Sequence, residues 1–236
     1  MKAENFFSEE ENKRIESAIA EAEKKTSGEI VAMVVDRSGD YRDVILIMSL
    51  IAASLTAVYP SELIYAASSH FIPRILPAFK WFTAIPDGMR YMTGLVSFIV
   101  MIMILFFPFR FLLARFPSVT RLFIHDRRLE SETRERAVSA FHEKGLSNTR
   151  DATGVLFLIS LFERKVYVLA DHGIYEKISQ HQLDGYVSSI AHGISRKSAC
   201  EALVDAIREA GTELARYFPV KPDDRNELSD KVLSEK

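Results

Sequence analysis

Residues 91–109 read YMTGLVSFIVMIMILFFPF, an uncharged run bounded by Arg90 and Arg110. A hydrocarbon core about 30 Å thick needs roughly 20 mostly apolar residues in helical geometry, and this run meets that length. A buried helix of a soluble domain keeps a polar stripe, whereas this one offers only Thr93 and Ser97. Upstream, residues 44–61 (VILIMSLIAASLTAVYPS) form a second run without charge. Between Val44 and Phe109 only Glu62, Arg74, Lys80, Asp87 and Arg90 are charged, although 26% of the chain is Asp, Glu, Lys or Arg. Such segregation predicts a two-span transmembrane hairpin over 44–109, set into an otherwise water-soluble chain.

The connector, about residues 62–90, carries Pro73, Pro77 and Pro86 among Tyr65, Phe71, Phe79, Trp81 and Phe82. Aromatic rings collect where headgroups meet hydrocarbon, so this loop is expected on the membrane surface, His70 with it. Arg37 and Arg42 precede the first span, and Arg110, Arg115 and Arg121 follow the second. The connector holds Arg74, Lys80 and Arg90. The positive-inside bias then places both flanks, and both termini, in the cytoplasm. The opening MKAENFFSEEENKR is acidic and polar, unlike a cleavable secretion signal. A formal net charge of -2 gives no basic face for nucleic acid, and one cysteine, Cys200, allows neither an internal disulfide nor a Cys-based zinc site.

With both flanks on one side, residues 1–43 and 110–218 can fold together as two parts of one domain, followed by a flexible charged tail, 219–236. Ser8 and Glu11 have capping-box spacing, and Ile15, Ala18, Ile19 and Ala22 recur on one helical face. Thr26-Ser27-Gly28 ends that helix, and Glu29–Val35 (EIVAMVV) reads as a strand covered on both faces. Beyond the hairpin, 130–144 reads as a helix with Ala137, Ala140 and Phe141 inward and Gly145 at its stop. The apolar run 154–162, the polar turn Glu163-Arg164-Lys165 and the strand 166–170 form an antiparallel pair, because a parallel return needs a longer crossover. Helices near 176–192 and 198–217 follow, the last with a stripe of Ala199, Leu203, Ala206, Ala210, Leu214 and Tyr217.

The stretches FFSEEENKRIESAIAEAEKKTSGEIVAMVV (6–35), RERAVSAFHEKGLSNTRDATGVLFLISLFERKVYVLADHGIYEKI (134–178) and the closing ARYFP (215–219) resemble a TPM domain. The resemblance spans residues 5–36 and 128–218. It implies an α/β fold, an α/β/α sandwich with a small mixed sheet, interrupted here by the two-helix transmembrane hairpin. Family domains run without such an interruption, and the arrangement is similar to a bacterial membrane-protein branch.

Asp171-His172-Gly173, directly after a strand, is the most suggestive tripeptide: Gly173 permits a tight turn and a strand-end carboxylate can face a cleft. The resemblance implies an acidic pocket at strand ends holding calcium or another divalent cation. Carried over by position, its metal ligands here are Asp36, Asp151 and Asp171. Calcium takes six to eight oxygens, so three carboxylates with carbonyls and water make a modest site. The competing role for these residues is turn capping and solvation. Some TPM domains are associated with phosphatase activity, which makes a metal-dependent phosphatase-like hydrolase, with His172 as acid, the second functional reading. The residues themselves supply no Cys-x5-Arg, no Gly-rich phosphate cradle and no nucleophile elbow, and His125, His142, Arg134 and Arg150 fit a charged surface. The first reading is a membrane-anchored, divalent-cation-binding interaction module in contact with the lipid bilayer and a membrane-protein partner, whose complex it helps assemble, maintain or regulate. A transport component is disfavoured, since neither span carries a charge at mid-depth.

Overall fold

The computed structural model describes residues 2–66, 87–220 and 227–235, and it divides into two units. One comprises residues 1–39 and 125–236; the other comprises 40–124. The second unit thus takes in residues 110–124, which the sequence assigns to the domain.

In the α/β unit, α1 (Glu9–Glu23) begins at a capping box: Ser8 N donates to Glu11 Oε2 at 2.8 Å, and Glu11 N to Ser8 Oγ at 3.2 Å. Its buried face is Ile15, Ala18, Ile19 and Ala22, as the spacing requires. Strand β1 (Glu29–Val35) is buried along its whole length. Helix α4 (Asp126–Glu143) starts four residues before its sequence-predicted position, because His125 Nδ1 accepts from Arg127 N at 3.2 Å and caps it. It ends at Gly145, whose φ of 80° is the left-handed conformation that terminates helices at little cost for glycine. Strand β2 (Gly154–Ser160) is fully buried, and β3 (Lys165–Ala170) alternates buried with half-buried positions. The last two long helices are α5 (Gln180–Ser195) and α6 (Ala199–Tyr217). Helix α5 starts later than periodicity suggests, because Ser179 and Gln182 form a second capping box there.

The sheet order is β3-β2-β1-β4, with β2–β3 antiparallel and β1 parallel to both of its neighbours. Strand β4 (Leu233–Glu235) lies in the segment expected to be a frayed tail, and this corrects that expectation for residues 227–235. Leu228 and Leu233 pack against an apolar cluster, and the Glu235 carboxylate is held by Arg136 and Lys144, so the tail has apolar and ionic anchors. Helices α1, α5 and α6 cover one face of the sheet, over Ile30, Ala32, Val34, Val155, Phe157 and Ile159. Helix α4 covers the other, over Val31, Met33, Val35, Leu156 and Leu158. Alternation along β1 and β2 sends successive side chains to opposite cores, which is why both strands are apolar throughout. The architecture is the expected α/β/α sandwich. Helices α1 and α6 approach closely at Gly211, where an added Cβ would lie 2.5 Å from Ala22 Cβ.

In the other unit, α2 (Arg42–Ala66) and α3 (Asp87–Arg115) pack along one another. Segments Arg42–Ile64 and Gly94–Arg115 are long and apolar enough to cross a membrane, with mean hydropathy of 1.9 and 2.5. The buried positions along α2 are Ser49, Ala53, Ala57 and Ser61, one small residue every fourth position, which lets a neighbouring backbone come close. Ser61 Oγ donates to Val58 O at 2.8 Å, so its hydroxyl is satisfied within the helix. Leu55, Met103 and Phe107 are 72%, 64% and 68% exposed. The connector residues read as interfacial between His70 and Pro86 lie outside the described residues.

Candidate functional site

The register of the sheet decides which of the three strand-end aspartates can meet. Glu29 pairs with Gly154 and Val35 with Ser160, while Val155 pairs with Ala170. Asp151 and Asp171 therefore lie at the end where β1 and β2 begin, and Asp36 lies where they finish. At about 3.3 Å per residue, a seven-residue strand separates the two ends by roughly 20 Å. The structure brings two of the three aspartates to one end and leaves the third at the other, so the three-carboxylate ligand set does not fit one ion. Among the described residues, no group of three or more His, Cys, Asp or Glu side chains is placed to hold a metal.

Asp171 caps the short helix His172–Tyr175, its Oδ1 accepting from His172 N at 2.7 Å. Its Oδ2 is buried and has no hydrogen-bond partner among the described residues. Gly173 sits against the loop before β2: an added Cβ would be 2.7 Å from Ala152 O and 3.2 Å from Asp151 O. Glycine is thus needed for close approach. The His172 side chain is 81% exposed, with its Nδ1 3.8 Å from Glu176 Oε1. Asp36 Oδ1 accepts from Ala3 N, and its own N donates to Glu235 O at 2.9 Å. Its work is to tie the amino-terminal turn and β4 to the end of β1.

Four carboxylates have environments that the sequence reading missed. Glu29, 6% exposed at the start of β1, accepts from Glu227 N at 3.0 Å and so holds the carboxy-terminal segment. Glu23, at the end of α1, accepts from Ile30 N at 2.9 Å. Burial above all pushes its carboxyl up to about 8, and the negative charges of Glu29 and Asp230 push the same way. Glu163 is fully buried at the opposite end of the sheet. Its Oε1 accepts from Ser38 N at 2.9 Å and Gly39 N at 3.2 Å, while its Oε2 accepts from Ser160 Oγ. An acid opening an otherwise apolar strand was a signal for Glu29. Glu163 gave none, because it reads as an ordinary turn residue. At Glu235, burial acts upward but the bonds from Lys144 and Arg136 outweigh it and hold the carboxyl below its usual range.

Each of these acids accepts hydrogen bonds from backbone amides, a hydroxyl or cations. Comparison with known proteins agrees with the fold. No curated protein matches the chain. The NMR structure of BA42 protein from the psychrophilic bacterium Bizionia argentinensis is similar, with 21% identity, 98% of this chain and 96% of that one covered, and a TM-score of 0.54. That similarity speaks to the fold alone. Residues 120–213, from the approach to α4 into α6, match the TPM domain profile. Over residues 120–213, then, the chain is similar to the TPM domain.

Proposed function

We propose that this protein is a membrane-anchored interaction module: the two apolar helices fix it in a bilayer, and the TPM domain meets a membrane-protein partner whose complex it helps assemble, maintain or regulate. One observation carries the anchor. Strands β1 and β2 precede and follow the helical unit, yet pair in parallel from Glu29↔Gly154 to Val35↔Ser160. A chain crossing a bilayer between them must return to the same side, so two spans suit this sheet and one span does not. The lipid-facing character comes from the second apolar segment, none of whose most apolar window is buried. Arginines at 37, 42, 110, 115 and 121 favour the cytoplasmic side for the domain.

The test uses the full chain in membranes, with single cysteines at Lys24 and Lys197 in a Cys200→Ser background. Both should react with an impermeant maleimide only after the cytoplasmic face is opened. Labelling of the two from opposite faces overturns the anchor. For the partner, photo-crosslinking from exposed positions of α5 should give one predominant membrane-protein adduct, and a ladder without a preferred adduct speaks against the module. Within this reading, divalent-cation binding belongs to the Asp151–Asp171 end, supported by the orphaned Asp171 Oδ2. Calcium should raise the melting temperature of the wild type and not of Asp171→Ala; equal responses remove the ion from the proposal.

A further inference from the structure

Residues 110–124 (RFLLARFPSVTRLFI) belong to the helical unit, although the sequence assigns them to the domain. Their path follows from one proline. Pro117 disfavours helical geometry in the residue before it, so α3 stops at Arg115 and Phe116 takes φ -116° and ψ 79°. The short helix Pro117–Arg121 then begins, with the proline at its first position, where a missing N–H costs nothing. Thr120 Oγ1 donates to Leu113 O at 2.8 Å and ties this helix back onto the last turn of α3. Phe123 N donates to Thr120 O at 3.1 Å and Ile124 N to Arg121 O at 3.2 Å, so the following turn also satisfies its amides internally.

The elbow so made has two faces. Leu113, Thr120 and Ile124 are buried on the inner one. On the outer one Phe111 and Leu122 are 73% and 79% exposed, and Phe116, Val119 and Phe123 are exposed with them. Large apolar side chains grouped on a surface mark a face that something covers. Met103, Ile104 and Phe107 carry the same exposed apolar surface on along α3, within the segment Gly94–Arg115 that is long and apolar enough to cross a membrane. Charge narrows the occupant further. No Asp or Glu lies between Asp87 and Asp126, whereas Arg110, Arg115 and Arg121 all do, and the first two are exposed. A second copy docked by the same face would bring arginine against arginine. An apolar face set among cations alone suits a layer of negatively charged headgroups over hydrocarbon.

We propose, resting on the bilayer anchor proposed above, that residues 111–123 form an interfacial elbow that lies in the headgroup layer and collects anionic phospholipid. Phe116, Leu122 and Phe123 enter the top of the acyl region, and Arg110 and Arg115 meet the headgroup anions.

Fluorescence quenching on the full chain in vesicles tests this, with an NBD probe on Leu122→Cys or Met103→Cys in a Cys200→Ser background. The vesicles are phosphatidylcholine with a minor share of nitroxide-labelled phosphatidylserine or phosphatidylcholine, the nitroxide at headgroup level or at the chain end. The Leu122→Cys probe should be quenched most from headgroup level, and the Met103→Cys probe most from the chain end. At equal content, labelled phosphatidylserine should quench the Leu122→Cys probe at least about twofold more than labelled phosphatidylcholine. Arg110→Gln/Arg115→Gln should abolish that preference and leave quenching of the Met103→Cys probe unchanged. If aqueous iodide and not lipid quenches the Leu122→Cys probe while the Met103→Cys probe is still quenched from the chain end, the elbow is overturned and the anchor stands. A Met103→Cys probe that no lipid quenches overturns the anchor itself. A Leu122→Cys probe shielded from lipid and iodide alike assigns the face to protein contact and overturns the elbow, as do equal quenching by the two lipids and an unchanged preference in the double variant.

Discussion

At the scale of single residues, the acids of the α/β unit divide by what surrounds them. Glu23 is the one whose environment favours the neutral form, with its carboxyl raised from 4.5 to about 8 by burial and by Glu29 and Asp230. The native state therefore holds its proton more tightly than the unfolded chain. Glu23's contribution to stability is complete below about pH 4.5 and is lost as pH rises through about 8. Melting temperatures measured in detergent at pH 5.5 and pH 8.5 should show a fall for the wild type that Glu23→Gln flattens by about 2–4 °C. A variant with the wild-type pH slope would show that Glu23 ionises without cost. Residue roles were legible where the partner is near in sequence, as in the capping box of Ser8 and Glu11. They were illegible where the partner is remote: the amides that bury Glu163 belong to Ser38 and Gly39, more than 120 residues earlier.

At the scale of elements, periodicity located most helices and strands, because each buries a continuous apolar face that its own residues must supply. The exceptions are instructive. Helix α4 begins at Asp126 rather than Glu130 because a histidine, not a hydroxyl, caps it. Strand β4 has three residues and no apolar pattern, since its edge position asks only for backbone pairing and ionic anchors. In the helical unit, composition located two long apolar helices, and the structure adds the seam between them. Ala53 is completely buried in the row Ser49, Ala53, Ala57, Ser61. Ala53→Leu should overpack that seam and cost about 1–3 kcal/mol, read as a lowered melting temperature in detergent. Leu55→Ala, at a position 72% exposed, should leave the melt unchanged. Equal effects of the two would mean that the helices do not depend on close approach.

At the scale of the whole molecule, the class of fold was readable but its strand directions were not. Asp36 follows β1 and Asp151 precedes β2, and these positions converge only if the two strands run in opposite directions. They run parallel, so the aspartates part. That direction is set by the return of the chain after the helical unit, which no local pattern records. The same interruption leaves the family match to residues 120–213, although β1, before the hairpin, stands inside the sheet. Beside β1 lies β4, from the far end of the chain. Removing residues 227–236 should uncover the β1 edge and release Leu228 and Leu233 from their cluster. Amide exchange at Met33, Val34 and Val35 should quicken by at least about tenfold, with more aggregation. Unchanged protection would mean that β4 adds nothing to the sheet.

The clasp of Glu163 on Ser38 and Gly39 has a mechanical consequence. Those two residues are the last of the domain before the chain departs for its apolar detour, and their amides are gripped by the turn joining β2 to β3. A tug on the departing strand-end is met by the centre of the sheet, so a pull on the chain at that point would load the best-buried part of the protein before it reached either loose end.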